Sequence, residues 1–463
     1  MMKKYIIILV AMMMAIGADA QRYSFTFEIK GVKDDVLYVG RHYRDKLQLL
    51  DTAKVIDGKC TFKGHKKWDR GVYALVKQTK KSSYIDFLVD GSQQFSFVIN
   101  EKNQVENVKG SESNKLMYDY INELNNARAT AEELNKRIKQ GDKKAKEEME
   151  ALDKKMMTTE NETIEKNQKY LFFELIRQFN GPDVPEEEPN KPYYYQMHYW
   201  DDVNLKDHSL IYTPELFDKM NYYFFGMLYN AEFDTICKYA DRVLERVEDD
   251  PVMLEYFLEY IMPNYYRSTT KIGWDATWCY LVRKYYLTGK CTWASAGTLN
   301  NKRQTAEFLE QSLIGAQGAE LWMADTNQSE NPEDWISSHR LPYKYVILWF
   351  WDPDCNHCKA QTEELIKLYN DQTAAGTRNF EVYAVGFESD VPKWKKYVKE
   401  HHLPFVNVGG PNVNIDYQEA YNVHGAPTMI ILNEKRQIIM NKNLPAKSII
   451  PFLKQYEKKQ NQK

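Results

Sequence analysis

Two cysteines separated by two residues carry the clearest chemical signal in this sequence. Cys355 and Cys358 lie in the segment WDPDCNHC, residues 351–358, at the end of the continuous apolar run 345–351. The run predicts a buried strand and the following residues predict a helix, so the pair falls on the first turn of that helix. There the unpaired N–H groups and the helix dipole favour a thiolate. We therefore expect a redox-active dithiol in which Cys355 attacks and Cys358 resolves the mixed disulfide.

The side chains beside the pair act on the Cys355 thiolate in opposite directions. His357 could favour the thiolate through positive charge or a hydrogen bond, whereas Asp352 and Asp354 disfavour it. Because these effects conflict, the sequence does not determine the reduction potential of the pair or the direction of electron flow.

Other uses of such a cysteine pair fit the sequence less well. A zinc site needs a second ligand pair, and the nearest candidates, His401 and His402, are adjacent and lack ligand spacing. Covalent haem attachment needs a histidine directly after the second cysteine, where Lys359 stands. A peroxidase-type site needs threonine or serine three residues before its cysteine, where Asp352 stands. An inert structural disulfide remains an alternative, and we expect neither a metal nor an organic cofactor.

The rest of the C-terminal region, residues 305–463, alternates between strand and helix patterns. After the strand at 345–351, the predicted order is helix, strand, helix, strand, strand, helix. These elements span residues 359–369, 380–387, 392–401, 428–432, 437–442 and 446–458. The alternation predicts an α/β sandwich with the cysteine pair at the end of its central strand.

The N-terminal region, residues 21–109, shows the two-residue period of strands. Apolar and polar residues alternate over residues 23–29, and further short apolar runs follow. An Asp-Gly dipeptide between two strand-like arms predicts a β-hairpin over residues 53–62. We expect a small antiparallel β domain.

Between residues 110 and 304 the period becomes helical. The segment 127–168 is rich in Glu, Lys and Ala and predicts two long, mostly solvated helices with a break near Gly141. Aromatic residues crowd between positions 193 and 286 at helical spacing, which predicts a core. These aromatic residues are unusually numerous for a helical domain, so some of them could lie on a surface that faces a partner. We expect a central all-α domain.

The first 20 residues have the parts of a secretory signal peptide. Lys3 and Lys4 precede an apolar stretch at residues 5–17, and Ala18-Asp19-Ala20 forms a cleavage site. An uncleaved anchor is the alternative, but this stretch is shorter than the ~20 residues that span a bilayer. We expect cleavage after Ala20 and export, with no membrane span in the remaining chain.

Composition narrows the function classes further. The 463 residues carry 62 Lys and Arg against 65 Asp and Glu, so the net charge of −3 argues against nucleic acid as a partner. Six cysteines are too few for a disulfide-stapled scaffold of this length. Besides the pair, the chain has Cys60, Cys237, Cys279 and Cys291. Cys279 and Cys291 are close enough in sequence to form a second disulfide, while buried free thiols are an equal alternative.

Three motifs of the C-terminal region occur together: Trp-x-x-x-Cys-x-x-Cys at 351–358, YNVHGAPT at 421–428 and GAQGAEL at 315–321. In these motifs the region resembles the thioredoxin fold of exported TlpA/ResA-like proteins in the thiol-specific-antioxidant superfamily. The resemblance implies a cis peptide bond before Pro427, with backbone groups of Ala426 and Pro427 docking a substrate strand beside Cys355. Trp351 would support the pair.

The resemblance also implies an activity and a location. It indicates a thiol-disulfide oxidoreductase of the Gram-negative periplasm, acting in the reductase or isomerase direction on cysteine-containing exported proteins and served by a redox partner. The β and helical domains upstream resemble uncharacterised modules that precede such thioredoxin domains, and they bring no known activity. A rival hypothesis is a non-catalytic binding or scaffold protein that presents these two domains. Thiol-based peroxide reduction is a third.

Close to the cysteine pair in sequence, two positions depart from the pattern of the resemblance. Trp349 stands where thioredoxins keep a buried aspartate, and Gln361 replaces a glutamate of some exported relatives. Proton transfer to Cys358 therefore lacks an obvious side-chain relay. Water, or a carboxylate from elsewhere such as Glu388, would serve instead.

Overall fold

The computed structural model describes residues 22–80, 82–267, 271, 273–387 and 390–461. The chain divides into two units, one ending at Tyr229 and the other beginning at Asn230. This division falls within the helical region predicted for residues 110–304. The predicted signal peptide and Glu388 lie outside the described residues. Within the described part of the chain, no helix is both long and apolar enough to cross a membrane.

Strands open the first unit and form its β domain. They are β1 (Tyr23–Ile29), β2 (Val36–Tyr43), β3 (Lys46–Lys54), β4 (Lys59–Gly64), β5 (Gly71–Val76), β6 (Ser83–Val89), β7 (Gln94–Ile99) and β8 (Val105–Lys109). Two four-stranded sheets result, with the orders β4-β1-β7-β8 and β3-β2-β5-β6. Neighbouring strands are antiparallel except β1 and β7, which run parallel. The alternation in β1 buries Phe25 and Phe27 in the shared core, which confirms the predicted β domain.

The hairpin predicted for residues 53–62 is wrong, although its turn is present. Asp57 and Gly58 adopt positive φ values of 49° and 76°, and Ile56 and Lys59 exchange both backbone hydrogen bonds. The two arms then separate, because β3 pairs with β2 in one sheet and β4 pairs with β1 in the other. The turn therefore links the two sheets of a sandwich.

Helices complete the first unit. They are α1 (Glu112–Lys139), α2 (Lys143–Asn167), α3 (Leu171–Phe179), α4 (Lys191–His198) and α5 (Pro214–Tyr222), with a 3-10 turn at His208–Tyr212 and a π-helical turn at Tyr223–Met227. The predicted pair of long helices is confirmed as α1 and α2. Gly141, at a φ of 90°, separates them, and Asp142 caps α2 through hydrogen bonds from two backbone N–H groups.

The second unit begins with a helical segment. Its helices are α6 (Phe233–Leu244), α7 (Pro251–Arg267), α8 (Trp274–Leu281) and α9 (Ala296–Glu310), with a π-helical turn at Val282–Tyr286 after α8. Tyr256, Phe257, Tyr285 and Tyr286 are fully buried here. Their burial confirms that aromatic residues at helical spacing form a core in this region.

An α/β domain follows in the same unit. Its elements are β9 (Trp322–Asp325), β10 (Ile336–Ser337), β11 (Tyr345–Trp351), α10 (Asn356–Ala374), β12 (Phe380–Gly386), α11 (Val391–Glu400), β13 (Val406–Val413), α12 (Tyr417–Tyr421), β14 (Thr428–Leu432), β15 (Ile438–Met440) and α13 (Ala446–Gln460). The sheet has the order β10-β9-β13-β12-β11-β14-β15. Odd-numbered residues of β11 pack into one core and even-numbered residues into another, so this strand is buried on both faces as predicted.

Strand β13 is absent from the predicted order of elements. Its sequence contains Gly409, Gly410 and Pro411, which are poor strand formers. Pairing with β12 nevertheless holds residues 406–409 in the sheet, and the register to β9 shifts between Val408 and Val413. Tertiary pairing therefore overrides local preference here.

Candidate active site

The turn between β11 and α10 places Cys355 at the N-cap of the helix. The backbone N–H of Cys355 donates to the carbonyl of Asp352 at 3.1 Å, and the N–H of Asp354 donates to Asp352 Oδ1 at 2.7 Å. Cys355 has the extended backbone typical of a cap, with φ −86° and ψ 115°. Its sulfur then accepts a hydrogen bond from the N–H of Cys358 at 3.2 Å. The cap thus directs a helix N–H group onto the sulfur, which is how a thiolate is stabilised.

Cys358 has the opposite environment on the same helical turn. Its side chain has no exposed surface, whereas Cys355 is half-buried. Burial, followed by the hydrogen bond with Cys355, raises the pKa of Cys358 to about 12. The two sulfurs are not bonded to each other. The structure therefore separates an accessible thiol from a buried one within a single turn.

The loop before β14 faces Cys355. The peptide bond between Ala426 and Pro427 is cis, as the resemblance implies. The Cys355 thiol donates to the carbonyl of Ala426 at 3.8 Å. Asn443 holds the end of this loop, since its Nδ2 donates to the carbonyl of Pro427 at 2.7 Å and its Oδ1 accepts from the N–H of Met429 at 2.7 Å. The backbone of residues 426–427 is therefore fixed beside the reactive sulfur.

The other predicted site residues take different positions. Trp351 is fully buried, with its ring 5.2 Å from that of Tyr397, and its supporting role stays a prediction. His357 is exposed on the first turn of α10. Its effect on the Cys355 thiolate stays a prediction.

The structure adds a charge that sequence reasoning missed. Lys393 on α11 pairs with Asp354 at 3.0 Å, and both side chains are mostly exposed. The lysine partly neutralises one of the two carboxylates expected to oppose the thiolate. The two residues are 39 positions apart and meet only through the fold.

The position of the missing aspartate is filled by a buried indole. Trp349 Nε1 donates to the hydroxyl of Thr362 at 3.1 Å, and both side chains are fully buried. Near this contact, the buried Oε1 of Gln361 has no hydrogen-bond partner among the described residues. Neither side chain can act as a carboxylate base for Cys358.

The remaining four cysteines differ from Cys355 in their burial. Cys60, Cys237, Cys279 and Cys291 are buried free thiols, so Cys279 and Cys291 do not form a disulfide. Burial raises the pKa of each of these thiols to about 12. In the described part of the chain, no group of three or more His, Cys, Asp or Glu side chains is arranged to hold a metal.

Comparison with protein families identifies the domain that carries this site. A family described as thioredoxin-like matches residues 343–438, which include the cysteine pair and Pro427. The C-terminal domain is thioredoxin-like. Upstream of this thioredoxin-like domain, two domains of unknown function match residues 23–117 (DUF4369) and 140–311 (DUF5106).

Solved structures give further similarities to this chain. A thioredoxin-like protein from Bacteroides caccae is 16% identical with a TM-score of 0.46, over 60% of this chain and 99% of its own. A domain of a possible thiol-disulfide isomerase from Cytophaga hutchinsonii is 26% identical with a TM-score of 0.29. The match covers 33% of this chain and 97% of that domain. A thiol:disulfide interchange protein from Bacteroides is 18% identical with a TM-score of 0.25. The match covers 32% of this chain and 90% of that protein's chain. No curated protein matches the chain.

Proposed function

We propose that the chain is an exported thiol-disulfide oxidoreductase that exchanges disulfides with cysteine-containing exported proteins. One observation carries the proposal. The half-buried sulfur of Cys355 receives the N–H of Cys358 at 3.2 Å and faces the Ala426 carbonyl, which precedes a cis proline. An accessible sulfur with a thiolate-stabilising donor beside a fixed backbone edge is what attack on a protein disulfide requires.

The reaction proceeds by two thiol-disulfide exchanges. The Cys355 thiolate attacks one sulfur of the substrate disulfide, which forms a mixed disulfide and releases the other substrate sulfur as a thiolate. Cys358, after loss of its proton, attacks the Cys355 sulfur and releases the second substrate thiolate. The substrate gains two electrons and two protons, and the enzyme is left with a Cys355–Cys358 disulfide. A dithiol partner must then reduce that disulfide.

The neighbouring residues have separate roles in this scheme. Ala426 and Pro427 present backbone groups to the substrate strand, and Trp351 supports the turn that carries the pair. His357 tunes the charge around the Cys355 sulfur. We place the direction of electron flow on the reductase or isomerase side, as in the TlpA/ResA-like proteins that the sequence resembles.

The N-terminal sequence supports a location where this chemistry is useful. Two lysines, an apolar stretch and the Ala18-Asp19-Ala20 site have the order of a cleavable signal peptide. Export would bring the pair into the periplasm of a Gram-negative bacterium, where protein disulfides persist. The substrates and the redox partner would be exported proteins there.

Trapping of the mixed disulfide tests the proposal. In Cys358→Ser the resolving thiol is lost, so we expect disulfide-linked complexes on non-reducing gels of cells that produce the variant. Cys355→Ser should form none, and Cys279→Ser, which removes a buried thiol, should behave like the wild type. Absence of complexes, together with a wild-type chain that does not reduce insulin, would instead favour a binding or scaffold role.

A further inference from the structure

The helical segment of the second unit contacts the loop that faces Cys355. Phe308 on α9 lies with its ring 5.5 Å from the ring of His424, at an interplanar angle of 41°. His424 is exposed and precedes Ala426 by two residues. Phe308 is thus an aromatic side chain from outside the matched thioredoxin-like region that borders this loop.

A second set of contacts reaches the same loop from its other end. Asn441 Nδ2 donates to Asp275 Oδ2 on α8 at 2.8 Å and to the carbonyl of Ser312 after α9 at 3.0 Å. Lys442 pairs with Asp275 at 3.0 Å, and both side chains are largely buried. The next residue, Asn443, is the one that holds the Pro427 carbonyl. Residues 441–443 therefore connect the helical segment to the cis-proline loop.

The face of α9 that bears Phe308 is turned away from α8. The Cys279 thiol lies 3.9 Å from the carbonyl of Ala306, and Arg283 pairs with Glu310 at 2.6 Å. Ala306 and Glu310 are each two residues from Phe308, about 160° around the helix. One or two turns before Phe308, the same face carries Gln304 and Asn301, which are exposed. This face is therefore polar, uncharged and exposed on the N-terminal side of Phe308.

We propose that α8 and α9 form part of the substrate site, with Phe308 and His424 extending the surface on which the substrate lies. The inference rests on the proposed oxidoreductase function and specifies its substrate as an extended polypeptide segment that carries the disulfide. The contacts above place Phe308 within about 20 Å of the Cys355 sulfur, the span of roughly six extended residues. A small disulfide at Cys355 would not reach this surface.

The experiment compares a polypeptide disulfide with a small one. The purified chain reduces insulin with dithiothreitol as the electron source, and separately reduces the small aromatic disulfide 5,5′-dithiobis(2-nitrobenzoate). In Phe308→Ala the loss of an aromatic contact should raise the KM for insulin about three- to tenfold. The kcat for insulin and the rate with the small disulfide should stay within twofold. Phe308→Tyr should restore the KM, and Leu309→Ala, the adjacent position on α9, is the matched control.

Each outcome separates the inference from the function on which it rests. His424→Ala, at an exposed position, repeats the test should Phe308→Ala fail to fold. A wild-type chain that reduces neither disulfide would overturn both the function and the inference. Unchanged insulin KM values in both variants of an active enzyme would overturn the inference alone. An equal loss of activity toward the small disulfide would also contradict the inference, because the contact between Phe308 and His424 would then act on the cysteine pair itself.

Discussion

Cys355 should be the one cysteine of the native, reduced protein that reacts quickly with an alkylating agent. The other five are buried, and burial raises the pKa of each to about 12. Cys355 alone is half-buried, and its sulfur lies 3.8 Å from the Ala426 carbonyl of the cis-proline loop. The prediction therefore separates Cys355 from Cys358 three residues later on the same helix.

The expected difference follows from the fraction of each thiol that is ionised. At pH 7.5 a thiol of pKa 12 is ionised in about one molecule in 30,000, against about one in ten for a free thiol of pKa 8.5. Only the thiolate is alkylated, and the more basic thiolate is about 40-fold more nucleophilic, so the five buried cysteines should react about 80-fold more slowly than a free thiol, before any steric protection is counted. Cys355, the half-buried thiol, should be labelled well before the other five.

Pulse labelling measures these rates at individual cysteines. The reduced chain is exposed briefly to iodoacetamide at pH 7.5, quenched in acid, unfolded and labelled again with an isotopically distinct reagent. Mass spectrometry of the peptides then gives the native labelling of each cysteine. Labelling in denaturant, where all six should react alike, is the control. Native labelling of Cys358 within tenfold of Cys355 would refute the reasoning from burial.

Two further predictions concern the stability of the first unit. Lys219, only 5% exposed, lies 4.0 Å from the Tyr199 ring, and burial lowers its pKa from 10.5 to about 8. Above pH 8 the unfolded state binds more protons, so wild-type stability should rise relative to Lys219→Met between pH 8 and 10.5, by up to about 3 kcal/mol. Urea unfolding that shows parallel pH profiles would contradict this. Arg70 binds Asp90 at 2.9 Å and Glu174 at 2.8 Å, all partly buried, so Arg70→Ala should lower the free energy of unfolding by about 3 kcal/mol. Arg70→Lys should recover part of that loss in the same urea assay, and a loss below 1 kcal/mol for Arg70→Ala would show that the cluster is solvated.

The parts of the fold set by local pattern could be predicted from sequence. The apolar run at residues 345–351 became β11 with the predicted bounds, and the break at Gly141 separates α1 from α2. Strand β13 could not be predicted in this way, because its glycines and proline are held only by pairing with β12. The arms of the turn at Asp57 were likewise assigned to the wrong partner, since sheet membership depends on contacts distant in sequence.

The same distinction between local features and contacts distant in sequence applies to the candidate site. The spacing of Cys355 and Cys358 is a local feature that could be read directly, and the cis bond before Pro427 was implied by the family resemblance of residues 421–428. The Lys393 pair with Asp354 and the Phe308 contact with His424 join residues 39 and 116 positions apart, as their numbers 354 and 393, and 308 and 424, show. No periodicity or motif marks such pairs in a single sequence. They become visible only once α11 and α9 have been placed against the domain.

The environment of Cys358 bears on the direction of the proposed reaction. Burial is the largest cause of its raised pKa, and the nearby Trp349 and Gln361 offer no carboxylate base. Relative to a thiol of pKa 8.5, a pKa of 12 lowers the thiolate fraction about 3,000-fold, while the more basic sulfur is about 40-fold more nucleophilic. Resolution by Cys358 is then about 80-fold slower. A mixed disulfide that persists gives other substrate thiols time to attack it, so we expect the proposed enzyme to favour isomerisation over net reduction.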